Sequence, residues 1–253
     1  MRTPPAVLTL HRAAFVLPDP ADPTAPSFAD GAVVVRGERV EAVGPYRELA
    51  AAHPDARVRD WGSAVLAPGL RNPYGHWLLE RAYHPDPREE IGVEPVADGL
   101  AGSTDEARCG ASARRGLQRM LGFGVTAVAG PFARPSVRTA VGRSGVVEVP
   151  VRPGGADVAD VPDGTGAAGV SGAAGGAGGT GAAGGAGASG AAGGGSLDPL
   201  AVLPFAEAVY GRVAVGGRAD FAVFPAAGEG RAEPVAGGCL ATVLGGRLMY
   251  RRR

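Results

Sequence analysis

Lysine is missing from this chain: all 25 basic residues are arginine. A GC-rich coding bias accounts for that first. The absence also removes one chemistry, because a protein without lysine cannot bridge two metals through a carbamylated one. Cysteine is nearly missing too. Cys109 and Cys239 stand far apart, outside any C-x-x-C spacing, so neither a disulfide framework nor a zinc knuckle is expected. Only four histidines occur, His11, His53, His76 and His84, and none follows residue 84. No apolar run approaches the roughly 18 residues of a membrane span. The first residues, Met1-Arg2-Thr3-Pro4-Pro5, lead to only a short apolar run at Ala6–Thr9 before His11-Arg12, unlike a signal peptide. A cytoplasmic protein that leaves membranes alone is the expectation. Net charge of one sign is absent as well: 25 acidic residues cancel the arginines, which argues against a nucleic-acid footprint.

What the chain has in excess is glycine, 43 residues in all, far above the usual share of about 7%. Most lie in one tract. From Gly164 to Ser196 every residue is Gly, Ala, Ser or Thr except Val170. Such a composition cannot bury enough surface to offset chain entropy, so a disordered linker is predicted. Its r.m.s. span would be about 30 Å, the width of a small domain.

Before the tract, Ala6–Val16 reads as a strand. Ala32–Val35 and Val40–Gly44 read as a hairpin about Arg36-Gly37-Glu38-Arg39. A short helical turn at 45–52 and a strand at 57–61 follow. Val65-Leu66-Ala67 then runs into Pro68-Gly69-Leu70-Arg71-Asn72-Pro73-Tyr74-Gly75-His76. Residues 77–102 suggest a long loop. Ser103 and Glu106 form a capping box for a helix carrying Ala113, Leu117, Met120 and Leu121. Val125–Ala129 is β-branched enough for a strand, and a helix at 136–141 with a strand at 146–149 makes one more unit. After the tract, 197–210 has helical spacing (Leu200, Leu203, Ala206, Val209), and 213–224 and 239–250 read as strand and hairpin.

These segments resemble the metal-dependent amidohydrolase superfamily. Its handover from a small β domain to a (β/α)₈ barrel reads P-G-L/F-V/I-N/D-x-H-x-H. Here Pro68, Gly69, Leu70 and Asn72 fit, His76 takes the second histidine, and Tyr74 stands at the first. The hairpin at 30–45, the Val213–Phe224 stretch and the Cys239–Tyr250 stretch resemble the same family's β domain. The Asn72-Pro73-x-x-His76 form is most similar to imidazolonepropionases and aminodeoxyfutalosine deaminases. The resemblance implies a mixed fold in three parts. Residues 1–66 and 197–253 form a composite β-sandwich, 67–163 a truncated (β/α) barrel fragment, and 164–196 the linker.

The family's metal, zinc or iron, is held by the strand-one histidines, two later histidines and an aspartate. This chain offers His76 alone, as a vestigial metal position, so no cofactor is expected. His84 lies in a proline-rich loop, and Tyr74, Asp86, Glu89 and Glu90 are the other polar candidates. A packed tyrosine and a solvated acidic loop are the plainer readings of these. Asp220 reads as a structural turn residue, and Cys109 as helix packing with nothing basic about it. Residues 68–163 supply fewer than half of the roughly 200 a barrel needs. The fragment must therefore lean on the β domain, lean on a partner, or stay loosely ordered. The expectation is an imidazolonepropionase-like pseudoenzyme acting as scaffold or partner of a complete homologue, or self-associating. The alternative is a hydrolase of non-peptide C–N bonds in a cyclic amidine or aminopurine, completed by a partner chain or by an unorthodox site around His76, Tyr74, His84 and Glu90.

Overall fold

The computed structural model describes residues 7–151, 195–226 and 233–252. The expected linker therefore lies outside the described residues, apart from Gly195 and Ser196. In chain order the first elements are β1 (Leu8–Val16), β2 (Phe28–Arg36), β3 (Arg39–Pro45), α1 (Tyr46–Ala52), β4 (Arg57–Asp60) and β5 (Ala64–Pro68). Next come β6 (Leu70–Asn72), α2 (Gly75–Glu80), α3 (Glu106–Leu121), β7 (Val125–Gly130), α4 (Pro135–Ser144) and β8 (Val147–Pro150). The last are α5 (Phe205–Ala208), β9 (Phe221–Pro225), β10 (Ala241–Leu244) and β11 (Arg247–Arg251).

Two sheets share these strands. The larger runs β11-β10-β9-β5-β1-β2-β3, with β4 also paired to β1. Both ends of the sequence thus enter one hydrogen-bonded sheet, continuous rather than divided into two. Its edges approach each other through residues 216–219. Val40 N–H donates to the Gly217 carbonyl (3.0 Å), Ala219 N–H to Glu38 (2.8 Å) and Gly246 N–H to Ala219 (3.0 Å). A side chain at Gly246 would collide with the Gly37 carbonyl, so two glycine turns let the β2–β3 and β10–β11 hairpins touch. Inside, Val33, Val35, Leu66, Phe221, Val223 and Val243 share one core. Leu10, Ala32 and Val34 point to the other face, which Leu49 and Tyr46 of α1 cover. The alternation of a β-branched run therefore serves two cores at once.

The smaller sheet is parallel, β6-β7-β8, and α3 and α4 connect its strands. Parallel strands need cover on both faces, and all six residues of β7 are buried. The fragment leans on the large sheet. Thr242 Oγ1 donates to the Leu121 carbonyl (2.6 Å) and Cys239 N–H to the Gly122 carbonyl (3.0 Å). Leu244 joins the core of α3 and α4, with Tyr250 packed against it.

Three local expectations need correction. Asp105, not Ser103, caps α3, accepting from Arg108 N–H (3.0 Å); Ser103 Oγ instead accepts from the Asp105 amide (3.3 Å). Residues 197–210 are not one helix but a 3₁₀ turn at Pro199–Ala201 and the single turn α5. Pro204 lies between them, and a proline disfavours α geometry at the residue before it. Residues 77–102 are not all loop, since α2 and a 3₁₀ turn at Pro87–Glu89 form there. No helix among the described residues is long and apolar enough to cross a membrane.

The Thr242–Leu121 bond is a buried polar tie between the large sheet and the end of α3. Thr242→Val should lower stability by about 1–2 kcal/mol in urea unfolding, and an unchanged midpoint would show the tie to be idle.

Candidate functional site

In a barrel, chemistry gathers at the C-terminal ends of the strands, so the end of β6 is the place to look. Asn72 is fully buried there. Its Oδ1 accepts from the Tyr74 amide (2.9 Å), an Asx turn that ends the strand. Tyr74 then becomes the N-cap residue of α2. Gly75 opens that helix against β7, so close that a Cβ would lie 2.7 Å from the Ala129 carbonyl. His76 therefore occupies the first turn of a helix rather than the rim of a strand. It is half-buried, and its Nδ1 is buried with no hydrogen-bond partner among the described residues.

The other imidazoles are elsewhere. His84 is fully buried, and its Nε2 lies 2.8 Å from the Leu78 carbonyl. A carbonyl only accepts, so Nε2 carries the proton. The backbone of His84 is fixed as well: its N–H donates to Ser112 Oγ (2.9 Å) and its carbonyl accepts from Arg115 Nε (2.8 Å). Gly116 makes the room, because a Cβ there would sit 2.6 Å from Nε2. Burial lowers the His84 pKa to about 4, with Arg119 and Arg115 adding to the shift against the Leu78 bond. His11 is buried in the large sheet, edge-on to Phe221 at 5.0 Å. Burial and then Arg59 push its pKa down to about 3. His53 follows α1 as its C-cap.

The acidic candidates other than Glu90 make local structural contacts. Glu89 accepts from the Tyr83 hydroxyl at 2.5 and 2.6 Å, while burial and then Glu89 raise the Tyr83 pKa. Asp86 caps the 3₁₀ turn through Arg88 N–H (3.0 Å), and Glu90 is exposed. Asp220 accepts from the Gly245 amide (2.7 Å) and so holds the β10–β11 turn. Tyr74 packs beside the α3–α4 core. Among the described residues no three His, Cys, Asp or Glu side chains are placed to hold a metal ion. Cys109 does have a basic neighbour: Arg134 Nη1 donates to its Sγ at 3.3 Å and also to the Ser103 carbonyl at 2.8 Å. Residue 134 lies beyond the next strand, so no local pattern announces it.

What fills the end of β6 is the chain itself. Asn72 Nδ2 donates to the carbonyls of Ser196 (2.9 Å) and Leu197 (3.3 Å). Gly195 rests on Tyr74 so closely that a Cβ would fall 2.2 Å from the tyrosine's own Cβ. Asp198 then anchors the segment, accepting from Leu200 N–H (3.0 Å) and Gly237 N–H (2.8 Å). Asn72 is the chain's only asparagine, and both ends of its amide are used.

Comparison with known proteins finds similarity in the N-terminal strands. Residues 31–56 match the imidazolonepropionase-like composite domain of bacteria. Imidazolonepropionase of Pyrobaculum arsenaticum is 30% identical over 112 residues, 39% of this chain. The chain is similar here to an imidazolonepropionase-like composite domain. It spans only 28% of that relative's length. Among solved structures, guanine deaminase from Bradyrhizobium japonicum is 18% identical with a TM-score of 0.41, covering 54% of this chain and 33% of that one. For A. niger ochratoxinase the values are 22%, 0.39, 56% and 30%. The matched part of the composite domain is the β2–β3 hairpin with α1, which holds none of the residues at the end of β6.

Both buried histidines stay neutral in the fold yet take a proton when unfolded. Between about pH 6.5 and 4 the unfolded chain binds the proton that His84 refuses. Stability should thus fall as pH drops through that window, by about 1.4 kcal/mol per pH unit for each such histidine. His84→Gln should remove one linked proton from the pH dependence of the urea midpoint, and an unchanged slope would contradict the buried, neutral assignment.

Proposed function

We propose that this protein is an imidazolonepropionase-like pseudoenzyme, a scaffold or binding partner that no longer hydrolyses C–N bonds. The observation that supports the reading most is the closure of β6. The amide of Asn72 and the ring of Tyr74 hold residues 195–197 where a barrel enzyme keeps its metal and substrate. The donor set agrees. Three protein ligands are the usual minimum for a catalytic zinc. His76 contributes one imidazole from a helix, and the Nε2 proton of His84 is committed to Leu78. Such a set does not fit the zinc or iron of the resembled family, so no step is routed through a metal.

A partner of stated kind follows from this reading: a complete homologue, or a second copy of the chain. The chain's balanced charge speaks for neither nucleic acid nor an anionic membrane.

Metal analysis after expression with added zinc or iron tests the proposal. The expected result is substoichiometric metal, unaltered by His76→Ala, and no hydrolysis of cyclic amidines or aminopurines. A stoichiometric, tightly bound metal, lost together with hydrolysis in His76→Ala, would overturn it in favour of a hydrolase completed by a partner chain.

A further inference from the structure

We propose that the chain pairs with a second copy of itself by seating the Ile91–Val93 loop of one copy in the cleft between α3, α4 and β11 of the other. The inference rests on two surfaces of complementary composition, an apolar cleft rimmed by arginines and an exposed aliphatic loop beside carboxylates, and it holds whether or not the chain hydrolyses anything.

The cleft has a volume of about 270 Å³. Its floor is aliphatic, made by Leu117 and Leu121 of α3 and Ala140 of α4, with Met249 of β11 at 39% exposure beside them. Arg114 and Arg143 stand on its rim, one from each helix, and both are exposed. Neither has an ion-pair partner among the described residues. An apolar floor between two uncommitted guanidinium groups suits an aliphatic knob flanked by carboxylates. Arginine is well suited to such pairing, since its planar fork takes carboxylates in two-point contact.

The loop presents that knob. Ile91 is 61%, Val93 66% and Val96 44% exposed, three aliphatics within six residues. Glu90 and Glu94 flank Ile91 and Val93; Glu94, its side chain 86% exposed, also reaches Arg119 of its own chain at 3.6 Å, which leaves Glu90 as the carboxylate without an ion-pair partner among the described residues. Glu90 sits at φ 57°, in the left-handed region that ends the 3₁₀ turn. The loop is also held in shape. Arg119 donates to the Val93 carbonyl, Tyr83 and Val96 exchange backbone hydrogen bonds of 2.9 and 2.8 Å, and Glu89 is fixed by the Tyr83 hydroxyl. A knob ordered in advance loses little entropy on docking.

Arg115 and Arg119 of α3 reach the loop side, through Asp86 and Val93. Leu117, Leu121 and Arg114 of the same helix line the cleft. Knob and socket therefore flank one helix, and the proposed pair has its two-fold axis beside α3, each loop entering the other copy's cleft. Such a reciprocal contact is isologous and closes at two.

Sedimentation velocity of the full chain over a concentration series tests this, with Glu90→Arg, the pair Arg114→Glu and Arg143→Glu, their combination, and Ile91→Ser. All but Ile91→Ser alter charge only, and all four positions are exposed, so thermal melts should show every variant folded. The expected result is a reversible dimer, weakened by salt. Each charge reversal and Ile91→Ser should weaken it by about tenfold or more, and the combined reversal should recover most of the loss. A monomer at every concentration, or a dimer that none of the substitutions shifts, would overturn the proposal. Reversals whose combination fails to restore pairing would overturn it too, leaving the cleft to a different acidic partner.

Discussion

The antiparallel pairing of β5 with β9 ties the two ends of the sequence together, from Ala64 opposite Pro225 to Pro68 opposite Phe221. Without it the N-terminal and C-terminal strands have no common sheet. The contact also sets the position of the parallel sheet, because β5 passes into β6 through Gly69 alone. That glycine lies so near Thr126 that a Cβ would be 2.1 Å from its side chain. Its carbonyl accepts from Tyr210 N–H (2.8 Å), while Leu70 N–H donates to Gly124 (2.8 Å). One residue thus joins large sheet, small sheet and C-terminal return.

From that junction the fate of the motif follows. The return segment arrives at the end of β6 because β9 is already fixed beside β5. Asn72 offers it two N–H bonds and takes the Tyr74 amide in exchange. The chain beyond Asn72 turns into α2 and delivers Leu78 and Leu79 to the core of α3 and α4. A histidine two residues past a tyrosine keeps its sequence spacing yet loses the strand that gave the spacing meaning. The Leu78 carbonyl then takes the proton of His84, so the same helix that moves His76 also commits the next imidazole.

Much of the scaffold is legible in the sequence because its signals are local. The valine-rich runs on either side of Gly37, the β-branched Val125–Ala129 run and the paired glycines Gly245 and Gly246 each declare a strand or turn within a few positions. The site is less legible, since what decides it is non-local. Asn72 fits a metal-motif pattern, but its partners lie at 196–197, across the glycine tract. Cys109 looks free of basic groups in the sequence because Arg134 reaches it from beyond β7. Gly75 and Gly116 carry no signal of their own in the sequence; only the fold shows that one admits β7 and the other admits His84. Helical spacing at 197–210 misleads for a different reason, as Pro199 and Pro204 break the backbone that the apolar pattern suggests.

Amide hydrogen exchange around residues 70–76 and 195–203, with and without excess zinc, tests most directly whether the chain's own return closes the end of β6. The account predicts slow exchange at Leu70, Tyr74 and Ala201 that zinc leaves unaltered. Exchange of 195–203 at the rate of an unfolded chain, or new protection about His76 when zinc is added, would contradict it.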